Sequence, residues 1–495
     1  MSIGAQLCAC GKLPRRKWFV TVALVLVFLV LSGGQRANAL PAFARKYGLR
    51  CSACHESWPM LNYFGQKFKD NGYQLMNDRD APIWQNPGYW PVTFRITPIW
   101  HRYSTGKVLV DQYAAGAPTG VSLQQRVETS GFDLSGLDFH TGGTLEKNIS
   151  FYVLPSSDPT AAFHFETVMA RLDNMFGTPW LNVKLGRFEL DNLLSEKRIL
   201  TLTANGGIYQ LYHFRPVGDN NIYGAIGDNQ LGVELLGHSY NDRTRYSASI
   251  LSSSDGNVNL VTTSNAYTGF FTASQAFDAG KLGVERIGAY AMIGDVSTYY
   301  RTSGGTIIPG SGIGNKSFHR EGFVGQFYFG EHVDLQVVTQ HGWDNVWLGQ
   351  GYGNAINPTN GAAGPPLINN YPGTLLPAGS QAPTWNGVLL EPHYVYSPQL
   401  IFIGRYETIR MSRQANGPNY VTPTTGAPNG YAGTMPSNLG NTSTFTIGYR
   451  YNPFMTSRAG FAWHNEYNWL HVDGIAPDGS AQNISELLIG IDFDF

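Results

Sequence analysis

Charge is what this 495-residue chain has little of: 14% Asp, Glu, Lys and Arg, against about 25% in an average globular protein. Neither sign dominates, since 34 basic and 35 acidic residues leave a formal net charge of −1. That balance excludes a basic nucleic-acid surface and an acidic tail. No Ser/His/Asp triad, P-loop or metalloprotease motif is present to support hydrolytic or nucleotide chemistry. Beyond residue 31 there is no long apolar run, so no transmembrane helix is expected, because a span needs about 20 apolar residues. Cysteine is scarce as well, with four in the chain.

The first two cysteines, Cys8 and Cys10, fall in a leader. Arg15, Arg16 and Lys17 form a positive stretch, Trp18–Leu31 is apolar, and Ala37-Asn38-Ala39 has the small-residue pattern of a cleavage site. These features predict a signal peptide over residues 1–39 and a mature chain starting at Leu40. The paired arginines also fit twin-arginine export, but the general secretory route is the one expected. Cys51 lies too far beyond the apolar run for a lipoprotein anchor.

What remains is the sequence Cys51-Ser-Ala-Cys54-His55. Cys-x-x-Cys-His is the attachment sequence of c-type haem: two thiols bind the macrocycle and the adjacent imidazole becomes an axial ligand of the iron. A structural zinc site needs about four ligands, and no second cysteine pair exists. A thioredoxin-like redox pair expects a βαβ context, which the flanks lack. Cys51 and Cys54 are therefore assigned to covalent haem c and His55 to its iron. For the sixth ligand Met76 is the first candidate, with His101, another lumen ligand or a five-coordinate iron as alternatives; Met60 follows His55 too closely to reach the opposite haem face without a sharp reversal. Ser57 is expected to cap a helix with Pro59 in its first turn. Leu61, Phe64 and Phe68 would form its apolar stripe, Gly72 would end it, and Lys67 and Lys69 would face outward, either beside haem propionates or into solvent.

Glycine is abundant, at 58 residues, and aromatics reach 13%, including 27 Tyr and 11 Trp. Downstream of residue 90 the dominant pattern has period two, which places alternate residues on opposite faces of a strand. Leu487, Ile489, Ile491, Phe493 and Phe495 alternate with Glu486, Leu488, Gly490, Asp492 and Asp494. Phe461, Trp463, Tyr467 and Trp469 alternate with Ala462, His464, Glu466 and Asn468. The polar faces carry Asn, Thr, Gly, His and scattered acids rather than Lys and Glu, as a wet lumen would. Tight connections at Tyr240–Arg245, Gly330–His332 and Ser397–Gln399 contrast with long Gly/Pro/Asn-rich ones at 345–384 and 411–440, the asymmetry of outer-membrane barrels. The chain ends on Phe495, a terminal aromatic of the kind read by outer-membrane assembly machinery. Residues 190–207 break the rhythm and suggest either a constriction folded into the lumen or an irregular turn. Inward-facing His464, Glu466, Asp492 and Asp494 suggest either a cation path or ordinary lumen polarity, and His393 with Glu391, and His341, read as isolated, hydrogen-bonded lumen groups.

The fold expected is thus all-β: a transmembrane outer-membrane β-barrel of about 16 strands over residues 90–495. A small α-helical c-type haem domain, residues 40–89, would sit in or under the lumen. A segment that short needs the haem, or the barrel wall, as a staple.

Leu40–His55, with Pro59, Leu61, Phe64-Gly65, Phe68 and Gly72-Tyr73, resembles the fused monohaem cytochrome–porins, whose best-known members are outer-membrane iron oxidases. The matched motif covers residues 40–73; the barrel matches in architecture and length. The resemblance implies Cys51 and Cys54 as attachment residues, His55 as axial ligand, and either iron or another extracellular donor or acceptor as a partner. It leaves the direction of electron flow open. Three functions follow: electron transfer across the outer membrane to or from a periplasmic carrier such as another cytochrome, surface oxidation of ferrous iron, or a diffusion porin with a haem-bearing plug or sensor. Replacing both Cys51 and Cys54 by Ser is expected to abolish haem staining of the denatured protein; unchanged staining would refute the assignment.

Overall fold

The computed structural model describes residues 41–57, 60–76, 80–85, 91–110, 123–157, 163–194, 210–214, 226, 229–252, 266–298, 314–345, 382–413, 441–455, 459–473 and 480–494. The expected leader, most of the long connections, Pro59 and Phe495 lie outside the described residues. The N-terminal segment forms α1 (Pro41–Tyr47), α2 (Cys51–Cys54), a two-stranded hairpin of β1 (His55–Ser57) and β2 (Met60–Leu61), and α3 (Tyr63–Asp70). Sixteen long strands follow: β3 (Val92–Val110), β4 (Leu123–Glu146), β5 (Ile149–Ser157), β6 (Phe163–Leu172), β7 (Asn182–Glu189), β8 (Asn229–His238), β9 (Thr244–Ser252) and β10 (Tyr267–Asp278), then β11 (Val284–Thr298), β12 (Gly314–Tyr328), β13 (Val333–Asp344), β14 (Thr384–Ser397), β15 (Leu400–Arg413), β16 (Thr442–Met455), β17 (Gly460–Val472) and β18 (Gln482–Asp494). A four-residue helix, α4 (Gln210–His213), lies between β7 and β8.

β3 to β18 pair antiparallel in chain order, and β18 closes on β3 with Glu486 opposite Tyr103 and Asp494 opposite Arg95. The expected count of about sixteen is met. Closure leaves no edge strand unpaired, which is the condition for a sheet surrounded by hydrocarbon. No helix among the described residues is long and apolar enough to cross a membrane.

The two faces follow the sequence alternation. In β17, His464, Glu466 and Asn468 are buried while Trp463, Tyr467 and Trp469 are exposed. In β13, Asp334, Gln336 and Gln340 are buried between partly exposed Leu335, Val337 and Thr339. Phe132, Phe323, Ile250 and Ile447 stand on the exterior, Phe132 at 90% exposure. An apolar exterior around a polar interior reverses the order of a water-soluble domain and suits lipid. One end carries tight connections such as 147–148, 279–283 and 398–399; at the other, all but one of the connections are long.

The lumen is packed. Tyr47, Phe68 and Tyr73 from the N-terminal segment join one apolar cluster with Leu211, Tyr212 and Phe214 of the β7–β8 connection. That connection turns inward as soon as β7 ends. Leu190 and Leu194 are buried, and Thr272 of β10 donates to the Asp191 carbonyl at 3.0 Å. At the long-loop end Phe214 meets Trp385 edge to face, centroids 5.2 Å apart. The described part of 190–207 therefore follows the constriction alternative; residues 195–207 lie outside the described residues.

At the short-turn end the N-terminal segment is tied to the wall all round. The Ala42 amide donates to Thr93 Oγ1 at 3.1 Å and Arg45 to the Val92 carbonyl at 2.6 Å. Lys46 Nζ reaches Thr144 Oγ1 at 3.0 Å. Met60 packs on Ile401 and Ile403. Arg171 donates to the carbonyls of Lys69 and Asp70, and the Asp70 carboxylate pairs with Arg245 at 2.9 Å. Residues 38–495 accordingly form one compact unit. Removing one member of a buried pair costs about 3–5 kcal/mol. Asp70→Ala should therefore make Lys67 and Lys69 accessible to trypsin while the barrel keeps its faster migration on unheated gels; unchanged protection would contradict this anchoring.

Candidate functional site

The Cys51–His55 sequence folds as one helical turn. Cys51 and Cys54, three apart, share a side of α2, and the His55 amide closes the turn onto the Cys51 carbonyl. His55 then leaves in extended geometry (φ −121°, ψ 137°) and pairs with Leu61 in the small hairpin. Neither cysteine is in a disulfide. Two thiols on one face with an imidazole directly after them is the donor set that a covalent haem c requires, so the chemistry of the residues fits that group.

α3 is laid directly against this turn. Asn62 caps it, its Oδ1 accepting from the Gly65 amide at 2.9 Å while its Nδ2 donates to the Ala53 carbonyl at 3.1 Å. A Cβ on Gly65 would lie 2.0 Å from the Cys54 carbonyl oxygen, so only glycine permits the approach. Here the sequence expectation is corrected. Asn62 rather than Ser57 is the cap, because Ser57 is taken into the hairpin. Leu61 belongs to β2, Phe64 is exposed, and of the expected stripe Phe68 alone is buried within the helix. Gly72 does follow the helix end with φ +70°. Lys69 does not face outward freely but pairs with Glu189 at 2.9 Å.

Burial shapes the site. Cys51 is 5% exposed and packs on Ala44, and burial pushes the Cys54 thiol up to about 11. The thiolate is the reactive form, so burial holds Cys54 in the less reactive thiol form. Phe43 stacks on Tyr73 at 4.9 Å and Tyr73 on Tyr152 of β5 at 5.7 Å, giving the segment an aromatic flank.

The candidate sixth ligands are dispersed. Met60 is buried against β15, its sulfur accepting from Gln336 at 3.0 Å. His101 sits eight residues along β3 from Thr93, roughly 26 Å at about 3.3 Å per residue, and faces Glu486 at 3.7 Å. Met76 is 55% exposed and has left-handed backbone (φ 60°).

Sequence reasoning missed a second cluster. His393 is hydrogen-bonded to Glu391 through Nε2, as expected, but Asp334 also holds its Nδ1, both at 2.8 Å. Glu56, next to His55, faces this group: burial first, then the Asp334 charge, push its carboxyl up to about 7, while His393 pulls the other way. Glu391 and His393 lie two apart on β14, but no local pattern brings Asp334 or Glu56 to them. His341 is not a lumen group; it is on the outer face, bonded to Asn386 at 2.9 Å. Asp492 is neutralised by Arg95 at 3.0 Å and Arg450 at 3.3 Å, which favours structural pairing over a cation path there.

No family model and no curated protein matches the chain. Among solved structures, it is similar to OmpT, an outer membrane protein of Vibrio cholerae in its trimer form, at 9% identity over 81% of this chain and 99% of that one, with a TM-score of 0.43. An anion-selective porin from Comamonas acidovorans is 12% identical over 82% and 98%, TM-score 0.46. Pseudomonas putida OprB is 10% identical over 81% and 94%, TM-score 0.43.

The Glu56 carboxyl binds its proton more tightly folded than unfolded, so its contribution to stability is complete below about 4.5 and is lost as pH rises to about 7. Glu56→Gln should match wild type in resistance of the segment to proteolysis at pH 4 and exceed it at pH 8. Equal resistance at both values would contradict the burial of Glu56.

Proposed function

We propose that this chain is an outer-membrane barrel that carries one covalent haem c at its short-turn mouth and passes single electrons between a periplasmic carrier and an extracellular donor or acceptor. One observation carries the reading: the Cys51–Cys54–His55 turn lies in a segment built into the barrel, tied to its wall at β3, β4, β6, β9 and β15. The apolar exterior and the closed sheet support a place in the outer membrane, where short turns face the periplasm.

In this reading Cys51 and Cys54 hold the macrocycle, His55 binds the iron, and Met76 is the proposed sixth ligand. The haem would supply reversible one-electron iron chemistry. α3 and the aromatic flank of Phe43, Tyr73 and Tyr152 fix the turn against the wall and exclude water from its inner side. A barrel is needed because a segment of about fifty residues is too short to bridge an apolar band of about 25 Å. The packing of Phe68, Leu211, Tyr212 and Trp385 into one lumen cluster favours this reading over free solute diffusion. Surface oxidation of ferrous iron is the same reading with its donor named.

Vesicles containing the protein should allow an external reductant to reduce an enclosed acceptor, and vesicles with the Cys51→Ser, Cys54→Ser variant should not. Equal rates for both would mean that small molecules pass through the lumen, and the porin reading would replace this one.

A further inference from the structure

We infer that the solvent-facing side of the Cys51–Cys54 turn and of the start of α3 is a docking surface for a small redox protein whose cofactor edge is ringed by carboxylates. The inference rests on the electron-transfer reading and gives its periplasmic partner a chemistry and a place.

α3 buries Gly65 and Phe68 on one side and leaves Tyr63 at 54% and Phe64 at 40% exposure on the other. Exposed aromatics on the wall strands face the lipid side, but these two do not belong to the wall. Tyr63 Oη donates to the carbonyl of Asn241 in the short β8–β9 turn at 3.3 Å, which fixes the pair at the aqueous rim of the mouth. Asn62 donates to the carbonyls of Ser52 and Ala53, so the exposed Ser52 and the two aromatics form one surface beside the thiols. Tyrosine in a water-facing patch is the residue that interfaces favour, with large apolar area and a polar tip.

Among the described residues the charge beside this surface is mainly basic, with the exposed Asp278 at the end of β10 the exception. Arg50 and Arg243 are exposed and Lys67 is half-exposed. The other nearby carboxylates are committed elsewhere: Asp70 and Asp242 pair with Arg245, Glu189 with Lys69, and Glu56 turns to the Asp334–His393 group. An apolar centre with a positive rim steers an acidic partner and repels a basic one. Electron-transfer pairs make small, transient contacts that bury less than about 1,200 Å².

The test uses the full-length protein in detergent micelles, with and without haem, and two isotope-labelled probes: a small cytochrome with an acidic haem edge and one with a basic edge. NMR line broadening at low salt should show binding of the acidic probe, weakening by at least about tenfold between 20 and 200 mM salt. Arg50→Glu with Arg243→Glu should remove that binding, and Phe64→Ser should weaken it without changing the salt slope. Preference for the basic probe, or acidic binding untouched by the charge reversal, would overturn the docking surface. Binding is read without any redox step, so the surface stands or falls by this test while the electron-transfer reading stands or falls by the vesicle assay.

Discussion

The structure depends on closure of the sheet. A strand in hydrocarbon has no water for its amides and carbonyls, so each must be paired by a neighbour all the way round. The β18–β3 ladder completes that ring and fixes which residues point in and which point out. Once the exterior must be apolar, the polar half of every strand is forced into the lumen. Asp492, Arg95, Arg450, Glu391 and His393 are the result, and they answer one another in ion pairs.

A lumen of this kind is also a socket. The N-terminal segment has too few residues to build a core of its own, and its helices are short. It acquires a core from the barrel: Tyr47, Phe68 and Tyr73 pack into the wall cluster, and Arg171 and Arg245 hold the end of α3. The reactive turn is thereby fixed at one mouth, with one face against the protein and the other toward water. On the proposed reading, a redox centre mounted in this way would sit at an opening in a membrane that otherwise insulates.

Much of this was legible because it is written with local periods. Alternation at Phe461–Trp469 and Glu486–Phe493 named the faces of β17 and β18, and the contrast of loop lengths separated the two ends. Cys51, Cys54 and His55 are adjacent, so their shared turn needs no tertiary information. Contacts between distant residues were not legible. Asn62 displaced Ser57 as the helix cap because the hairpin of His55–Leu61 drew Ser57 away, and nothing in the local sequence signals that pairing. Lys69 reads as a solvated lysine until Glu189 is placed beside it. Glu56 reaches the Asp334–Glu391–His393 group of β13 and β14 only because the segment enters the barrel.

The central claim is that the haem-bearing turn lies at the short-turn mouth of the barrel. It is tested most directly by nitroxide labels placed in turn on Asn241, in the β8–β9 turn, and on Asn386, on the outer face of β14 toward the long-loop end. In the haem-loaded protein the iron should enhance relaxation strongly at position 241 and weakly at 386. Equal enhancement, or the reverse order, would contradict the account.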